Sequence, residues 1–209
     1  MTDHLTRALK DARIVPVIRH PDTTIAETAC RLLAQEGARV LEITMTVPDA
    51  SGLLQRLGAA HPEVILGAGT VLDAAQAQAA IASGAQFVVS PCWCDTVAAA
   101  CRAARIPYLP GAMTPGEVLH HAQAGAHVVK VFPADAAGGL GFLKALRAVF
   151  PDIALMPTGG ITPGNAADYL AAGALCVGMG GNLLPAAALE AGDEARARDL
   201  IRAALHGAD

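Results

Sequence analysis

The chain has 209 residues, of which 53% are hydrophobic and only 16% are charged. This length suits one domain with a substantial core, and the composition excludes a disordered protein. A formal net charge of −4 excludes a broad basic surface for nucleic acid or an anionic membrane. The apolar runs are too short to span a membrane, and the amino-terminal residues lack the apolar region of a secretion signal. We therefore expect a cytoplasmic globular protein.

The five cysteines favour neither disulfides nor a metal site. Their number is odd and they are scattered along a chain without a secretion signal, so a disulfide framework is not expected. Cys92 and Cys94 have a C-x-C spacing that does not suit a zinc knuckle. The adjacent His120 and His121 would point about 100° apart on a helix and would chelate poorly. We predict no metal and no cofactor.

Eight short apolar runs recur roughly 20 to 26 residues apart and have the character of strands. An Ala- and Leu-rich stretch with helical periodicity follows each run, and glycines 37, 84, 125 and 173 stand where four helices would end. The runs are Ile14–Ile18, Val40–Thr44, Val64–Leu66, Phe87–Val89, Pro107–Leu109, Val128–Phe132, Ile153–Met156 and Leu175–Met179.

Wholly apolar strands that alternate with helices are typical of a parallel sheet covered by helices. Eight such units predict a (β/α)₈ TIM barrel, folded as a single compact α/β domain over residues 1–209. No linker, charge block or low-complexity segment divides the chain. A doubly wound open sheet is the alternative, because the number of strands does not establish that the sheet closes.

Two charged residues interrupt the apolar strands. Lys130 lies within Val128–Phe132, and Glu42 lies within Val40–Thr44. A buried amine that loses its proton is a nucleophile toward a carbonyl, and a buried carboxylate can transfer protons. The bland alternatives are a lysine that reaches the surface at a strand end and a structural ion pair for either residue. On the second and sixth predicted strands, the two side chains can face each other inside a barrel.

Other candidates lie where predicted strands end. Arg19 ends the first strand, at the catalytic face of a barrel, where a guanidinium could grip a substrate carboxylate; a surface role is the alternative. Glycine clusters 158–165 and 178–182 follow the last two strands, where barrels commonly bind phosphate. A third glycine cluster, 67–71, follows the third strand. It could contribute the Thr70 hydroxyl to the site, or its glycines could serve only to form a turn.

Six motifs in order make the chain resemble a known family. They are Leu41-Glu42-Ile43-Thr44, Gly67-Ala68-Gly69-Thr70-Val71, Ser90-Pro91, Pro110-Gly111-Ala112-Met113-Thr114-Pro115, Lys130-Val131-Phe132-Pro133 and Pro157-Thr158-Gly159-Gly160-Ile161. Over nearly its whole length the chain resembles the class I 2-keto-3-deoxy-6-phosphogluconate (KDPG) aldolases, which also cleave 4-hydroxy-2-oxoglutarate (KHG).

The resemblance implies roles for individual residues. It implies that Lys130 forms the Schiff base and that Glu42 is the acid and base. It also implies a pyruvyl pocket lined by Thr70, Pro91 and Phe132, and a phosphate site formed by Gly159, Gly160, Gly180 and Gly181. Further implications are a homotrimer and a phosphorylated 2-oxo sugar acid as the small-molecule substrate.

The sequence departs from the family pattern at two positions. Many members have Arg where Thr46 stands, and others have an Arg at the end of the first strand, as Arg19 is here. We therefore assign carboxylate binding to Arg19. Members usually have Ser, whose hydroxyl contacts the phosphate, where Gly181 stands. Thr158 matches the members specific for the gluco-epimer, because the galacto-epimer relatives tend to have Val there.

Three alternative functions remain open from the sequence. One is an aldolase for the galacto-epimer or for an unphosphorylated 2-oxo acid. Another is a phosphate-binding barrel isomerase or synthase in which Lys130 is a base or a counter-ion. The third is a non-catalytic assembly protein that has kept the barrel.

Overall fold

The computed structural model describes residues 2–207, which form ten helices and nine strands. They alternate except where β5 is followed by β6 and α9 by α10. Residue 1 and residues 208–209, which the predicted domain includes, lie outside the described residues. The strands are β1 (Ile14–Ile18), β2 (Val40–Thr44), β3 (Ile65–Gly69), β4 (Phe87–Val89), β5 (Tyr108–Leu109), β6 (Gly111–Ala112), β7 (Val129–Val131), β8 (Leu155–Pro157) and β9 (Val177–Met179). The helices are α1 (Thr2–Ala12), α2 (Thr23–Gln35), α3 (Ala50–Ala60), α4 (Ala74–Ala82), α5 (Asp95–Ala104), α6 (Pro115–Gln123), α7 (Gly139–Val149), α8 (Ala166–Ala171), α9 (Ala186–Glu190) and α10 (Glu194–His206).

The parallel strands close into a ring. One set has the order β5-β4-β3-β2-β1-β9 and the other has the order β6-β7-β8. At one junction, β5 and β6 are two parts of one strand separated by Pro110, whose carbonyl accepts a hydrogen bond from the Lys130 backbone at 2.9 Å. At the other, Leu175 N donates to the Leu155 carbonyl at 2.9 Å, and Thr158 forms a bridge with Gly178. The predicted (β/α)₈ barrel is confirmed and the open sheet is not.

Several predicted strand boundaries were wrong. The fifth predicted strand continues beyond Leu109 as β6, and the seventh begins at Leu155 rather than at Ile153. Gly67 and Gly69 lie inside β3 rather than in a turn after it. Their missing side chains leave room for neighbours, since a Cβ at Gly67 would collide with the Phe87 ring and one at Gly69 with the Glu42 carboxylate. The eighth strand begins at Val177 rather than at Leu175 and ends at Met179, as predicted.

The two faces of each strand pack into different layers, as the two-residue period of a strand requires. Val40 points into the barrel, where it joins Leu5 and Leu9 of α1 in closing the amino-terminal end. Its neighbour Leu41 points outward into the layer between sheet and helices. Four helices end at glycines with φ between 95° and 99°, which confirms the predicted left-handed ends; they are Gly37, Gly84, Gly125 and Gly173.

After the last strand, the chain returns to pack against α2. Arg198 and Arg202 of α10 both bond to the carboxylate of Glu36, which follows α2, at 2.7 Å. Arg31 of α2 bonds in turn to Glu194 of α10 at 2.7 Å. Among residues 2–207, no helix has the length and apolar character that crossing a membrane requires.

Candidate active site

A cavity of about 510 Å³ opens at the carboxyl ends of the strands. Every site residue predicted from the sequence lines it. These residues are Arg19, Glu42, Thr70, Pro91, Lys130, Phe132, Thr158, Gly159, Gly160, Gly180 and Gly181. Because they come from seven different strand ends or the loops after them, the closed barrel is what brings them together.

Lys130 and Glu42 face each other inside the barrel, as predicted. The Lys130 Nζ lies 3.5 Å from the Glu42 Oε1, and the two side chains are 7% and 0% exposed. Neither carboxylate oxygen of Glu42 accepts a hydrogen bond from any group in residues 2–207. A buried ion pair stabilises a fold only when hydrogen bonds also satisfy its remaining polar atoms. This pair is not satisfied in that way, so it does not have the geometry of a structural ion pair.

Neighbouring residues shield Lys130 and Glu42 from solvent and fix their positions. The Phe132 ring centroid lies 5.1 Å from the Lys130 Nζ, an arrangement that suits a cation over an aromatic face. On the other side, the Glu42 carboxylate occupies the space that a side chain at Gly69 would fill. Strand β3 must therefore carry a glycine opposite the carboxylate.

Arg19 reaches across the mouth of the cavity from the end of β1. Its Nη2 donates to the Thr70 hydroxyl at 2.9 Å. Thr70 has a φ of 55°, which a β-branched residue rarely adopts and which typically costs about 1–3 kcal/mol. Behind Arg19, the Thr44 hydroxyl lies 3.0 Å from the Ile18 carbonyl, to which it donates, and 2.8 Å from the Thr46 hydroxyl. Thr70 thus holds the guanidinium at the cavity, while Thr44 of β2 fixes the backbone at the end of β1.

The two glycine loops form the remaining wall of the cavity. Gly159 and Gly160 have φ values of 100° and 71°, which favour glycine. Asn182 ties the loops together, because its Nδ2 donates to the Ile161 carbonyl at 2.9 Å. A Cβ at Gly181 would meet no atom of the described chain within 4 Å. No other part of the fold therefore crowds this residue, which also lines the cavity.

Comparison with known proteins identifies the family. Residues 5–200 match the family model described as KDPG and KHG aldolase. The chain belongs to the KDPG/KHG aldolase family. The KHG/KDPG aldolase of Escherichia coli (strain K12) is 39% identical over 196 residues, which cover 93% of this chain and 92% of that protein.

Two crystal structures of KDPG aldolases superpose closely on the chain. The Legionella pneumophila enzyme, with pyruvate captured at low pH as a covalent carbinolamine intermediate, has a TM-score of 0.87 and 32% identity, covering 95% of this chain and 97% of that chain. The Zymomonas mobilis ZM4 enzyme with 3-phosphoglycerate has a TM-score of 0.85 and 31% identity, covering 99% and 97%.

Sequence reasoning gave no individual role to four residues that line the cavity of this family member, although three of them lie in its glycine clusters. They are Val17, Ile161, Gly178 and Asn182. Val17 could have been found, since it lies two residues before Arg19 and therefore on the same face of β1. Asn182 ends the second glycine cluster, but its bond to another loop has no signal in the sequence. The Thr158 side chain occupies the space that a side chain at Gly178 would need. This contact could not be predicted, because it exists only once the barrel has closed.

Proposed function

We propose that the protein cleaves KDPG to pyruvate and D-glyceraldehyde 3-phosphate through a Schiff base on Lys130, and that it also cleaves KHG to pyruvate and glyoxylate. The observation that carries the proposal is the buried amine of Lys130, 3.5 Å from a carboxylate that has no other partner in the described chain. The names of the relatives support the substrates.

Schiff-base formation uses both groups of the pair. The neutral Lys130 Nζ attacks the C2 ketone and gives a carbinolamine, while Glu42 moves protons between the nitrogen and the new hydroxyl. Glu42 holds the proton that Lys130 gave up to become neutral and delivers it to this hydroxyl, which leaves as water. An iminium then remains beside the Glu42 carboxylate. Because Glu42 accepts no hydrogen bond in the described chain, it can take up and return a proton without breaking one.

Carbon–carbon cleavage follows from the iminium. Glu42 takes the proton of the C4 hydroxyl, the C3–C4 electron pair moves into the iminium, and the aldehyde departs. The resulting enamine gains a proton at C3, and water then hydrolyses the pyruvyl imine to release pyruvate and free Lys130. Each proton that Glu42 removes is returned before the cycle ends, so the amine and carboxylate recover their starting states.

The remaining cavity residues bind and orient the substrate in this proposal. Arg19 and Thr70 bind the C1 carboxylate, and Pro91 and Phe132 line the pyruvyl part of the cavity. The backbone N–H groups of the glycine loops (Gly159, Gly160, Gly180 and Gly181) hold the distal phosphate, and Thr158 favours the gluco-epimer. Anchoring at both ends fixes the C2 ketone beside Lys130, which is how binding energy away from the reacting atoms raises the rate.

The test is the release of pyruvate from defined substrates. We expect cleavage of KDPG and of KHG, with KDPG preferred over its galacto-epimer because of Thr158. Pyruvate formation can be followed with lactate dehydrogenase and NADH, with the substrate omitted as a control. Absence of pyruvate from both KDPG and KHG would contradict the proposal.

We further propose that residues 1–209 act as one domain, and that the protein is a cytoplasmic homotrimer. Resemblance to the family supports the trimer. Light scattering coupled to size-exclusion chromatography is expected to give about three times the chain mass of 21.2 kDa. A mass of a single chain would contradict this part of the proposal.

A further inference from the structure

One buried histidine outside the cavity has an unusual set of partners. His121 lies in the last turn of α6 and is 3% exposed. Its Nε2 lies 3.0 Å from the Gly111 carbonyl oxygen. Since a carbonyl only accepts, the Nε2 carries the hydrogen. The Nδ1 is buried and has no hydrogen-bond partner in residues 2–207. An unsatisfied buried nitrogen costs free energy, so the packing of α6 alone does not account for a histidine at this position.

The carbonyl that His121 holds lies where the barrel ladder is interrupted. The carbonyls of Pro110 and Ala112 accept from the backbone of β7. The carbonyl of Gly111 lies between them, so it points to the other side, toward β4. There the last ladder bond runs from Ser90 N to the Leu109 carbonyl. Beyond that point β4 has ended and offers no backbone N–H to the Gly111 carbonyl. The His121 imidazole donates to this carbonyl instead.

Gly111 connects this bond to the proposed catalytic lysine. It lies opposite Lys130 in the register of β6 and β7. On its other side it packs against the Pro91 backbone so closely that a Cβ would collide with the Pro91 carbonyl. Lys130 and Pro91 both line the cavity. The hydrogen bond from His121 therefore anchors the piece of backbone that separates these two cavity residues.

The imidazole itself is held in a fixed orientation. The Trp93 ring stacks on it with centroids 5.2 Å apart and planes 24° apart, and the Trp93 Nε1 donates to Asp95 at 2.7 Å. Burial lowers the pKa of His121, against the opposing effect of the bond to Gly111. A neutral ring with its hydrogen on Nε2 is therefore the form that the surroundings favour.

We propose that His121 is a positioning residue for the aldol reaction: its bond to Gly111 sets the place of Lys130 relative to the ketone. This inference rests on the proposed function. Unlike the cavity residues, His121 touches no substrate. Removing its donor is therefore expected to slow imine formation while leaving substrate binding nearly unchanged, because small displacements of a reacting group cost far more rate than affinity.

The test compares three variants with the wild-type protein. His121→Leu removes the donor, and His121→Gln keeps an amide N–H that can reach Gly111. His120→Leu is the matched control, because His120 is the neighbouring exposed residue of α6 and its ring also contacts Trp93. The measurements are kcat and KM for KDPG cleavage, and the rate at which pyruvate and borohydride form a covalent adduct, each per folded molecule.

We expect His121→Leu to lower kcat and the adduct rate by about 10- to 100-fold with KM changed by less than about 3-fold. His121→Gln should recover most of the loss, and His120→Leu should behave as the wild type. If His121→Leu does not fold, His121→Asn, whose shorter amide cannot reach Gly111, takes its place with the same expected loss.

Two outcomes would overturn the inference and are distinguishable. A folded His121→Leu or His121→Asn protein with wild-type kcat and adduct rate would overturn the role of His121 alone. A wild-type protein that forms no adduct would overturn the proposed function and this inference together.

Discussion

Two glutamates that are both shielded from solvent have opposite surroundings. The Glu36 side chain is 8% exposed, and it accepts bonds at 2.7 Å from Arg198 and Arg202. The Glu42 side chain is 0% exposed, and apart from the Lys130 amine at 3.5 Å its oxygens have no polar partner in the described residues. One carboxylate is fully engaged by the fold and the other is left available.

This difference separates a group that stabilises the structure from one that serves the reaction in our proposal. The hydrogen bonds from the two arginines hold the pKa of Glu36 below its usual value. Such a shift means that the folded state favours the charged carboxylate, so Glu36 stabilises the packing of α10 on α2. Glu42 lacks such bonds, and a buried polar group without partners is tolerated where chemistry requires it.

The largest effect is expected when the partner of Glu42 is changed. Lys130→Arg keeps a positive charge, but a guanidinium stays protonated and cannot form an imine. We expect no measurable release of pyruvate from KDPG. Circular dichroism and the melting temperature should stay close to those of the wild type, because the Glu36 contacts are untouched. Turnover above about a tenth of the wild-type value would contradict the role of Lys130.

Glu42→Gln should give the next largest decrease in kcat. The amide has nearly the same shape but cannot accept a proton, and removing a general acid–base group typically lowers kcat by about 10²- to 10⁴-fold. Glu36→Gln is the matched control, since it makes the same chemical change in the other region and should leave kcat as it is. Equal kcat values in the two variants would contradict the claim that Glu42, and not Glu36, takes part in the reaction.

Glu36→Gln should instead lower stability, and this effect should depend on pH. Because the pKa of Glu36 is held below its ordinary value of 4.5, its contribution is fully present above pH 4.5 and is lost as the pH falls further. Urea unfolding of the wild type and the variant, at pH 7 and at a series of pH values below 4.5, measures this contribution to the free energy of unfolding. The wild type should be more stable than the variant at pH 7, with a difference that shrinks in acid. A difference that is independent of pH would contradict this assignment.

The smallest effect is expected at Gly181, which lines the cavity. A Cβ there meets no described atom within 4 Å, so Gly181→Ser should fit without strain. One added hydrogen bond is worth about 0.5–1.5 kcal/mol. We expect kcat/KM for KDPG to rise about 2- to 12-fold, with KHG unchanged because it lacks the phosphate. An equal gain for both substrates would show that the hydroxyl does not act on the phosphate.

The barrel and the pair of Lys130 and Glu42 could be predicted from the sequence because both depend on short-range patterns. Lys130 and Glu42 stand out as charges within apolar strands, and their strand numbers place them across a closed barrel from each other. The four helix-ending glycines are equally local signals.

Contacts made across long sequence distances could not be predicted in the same way. Glu36 meets Arg198, 162 residues later, only after the chain has closed the barrel and added α10. His121 looked like half of a poor metal chelate, because nothing in the sequence shows that β4 ends before it can pair with Gly111. Pro110 was visible, but whether it ends a strand or merely interrupts one depends on the neighbouring β7.

The most direct test of the account is covalent capture of pyruvate. The chain has three lysines, and two of them, Lys10 and Lys144, are exposed on helices. Incubation with pyruvate and sodium borohydride, followed by mass spectrometry of peptides, should find the reduced adduct on Lys130, with the exposed lysines unmodified. Adducts on Lys10 or Lys144 in place of Lys130, or no adduct at all, would contradict the central claim.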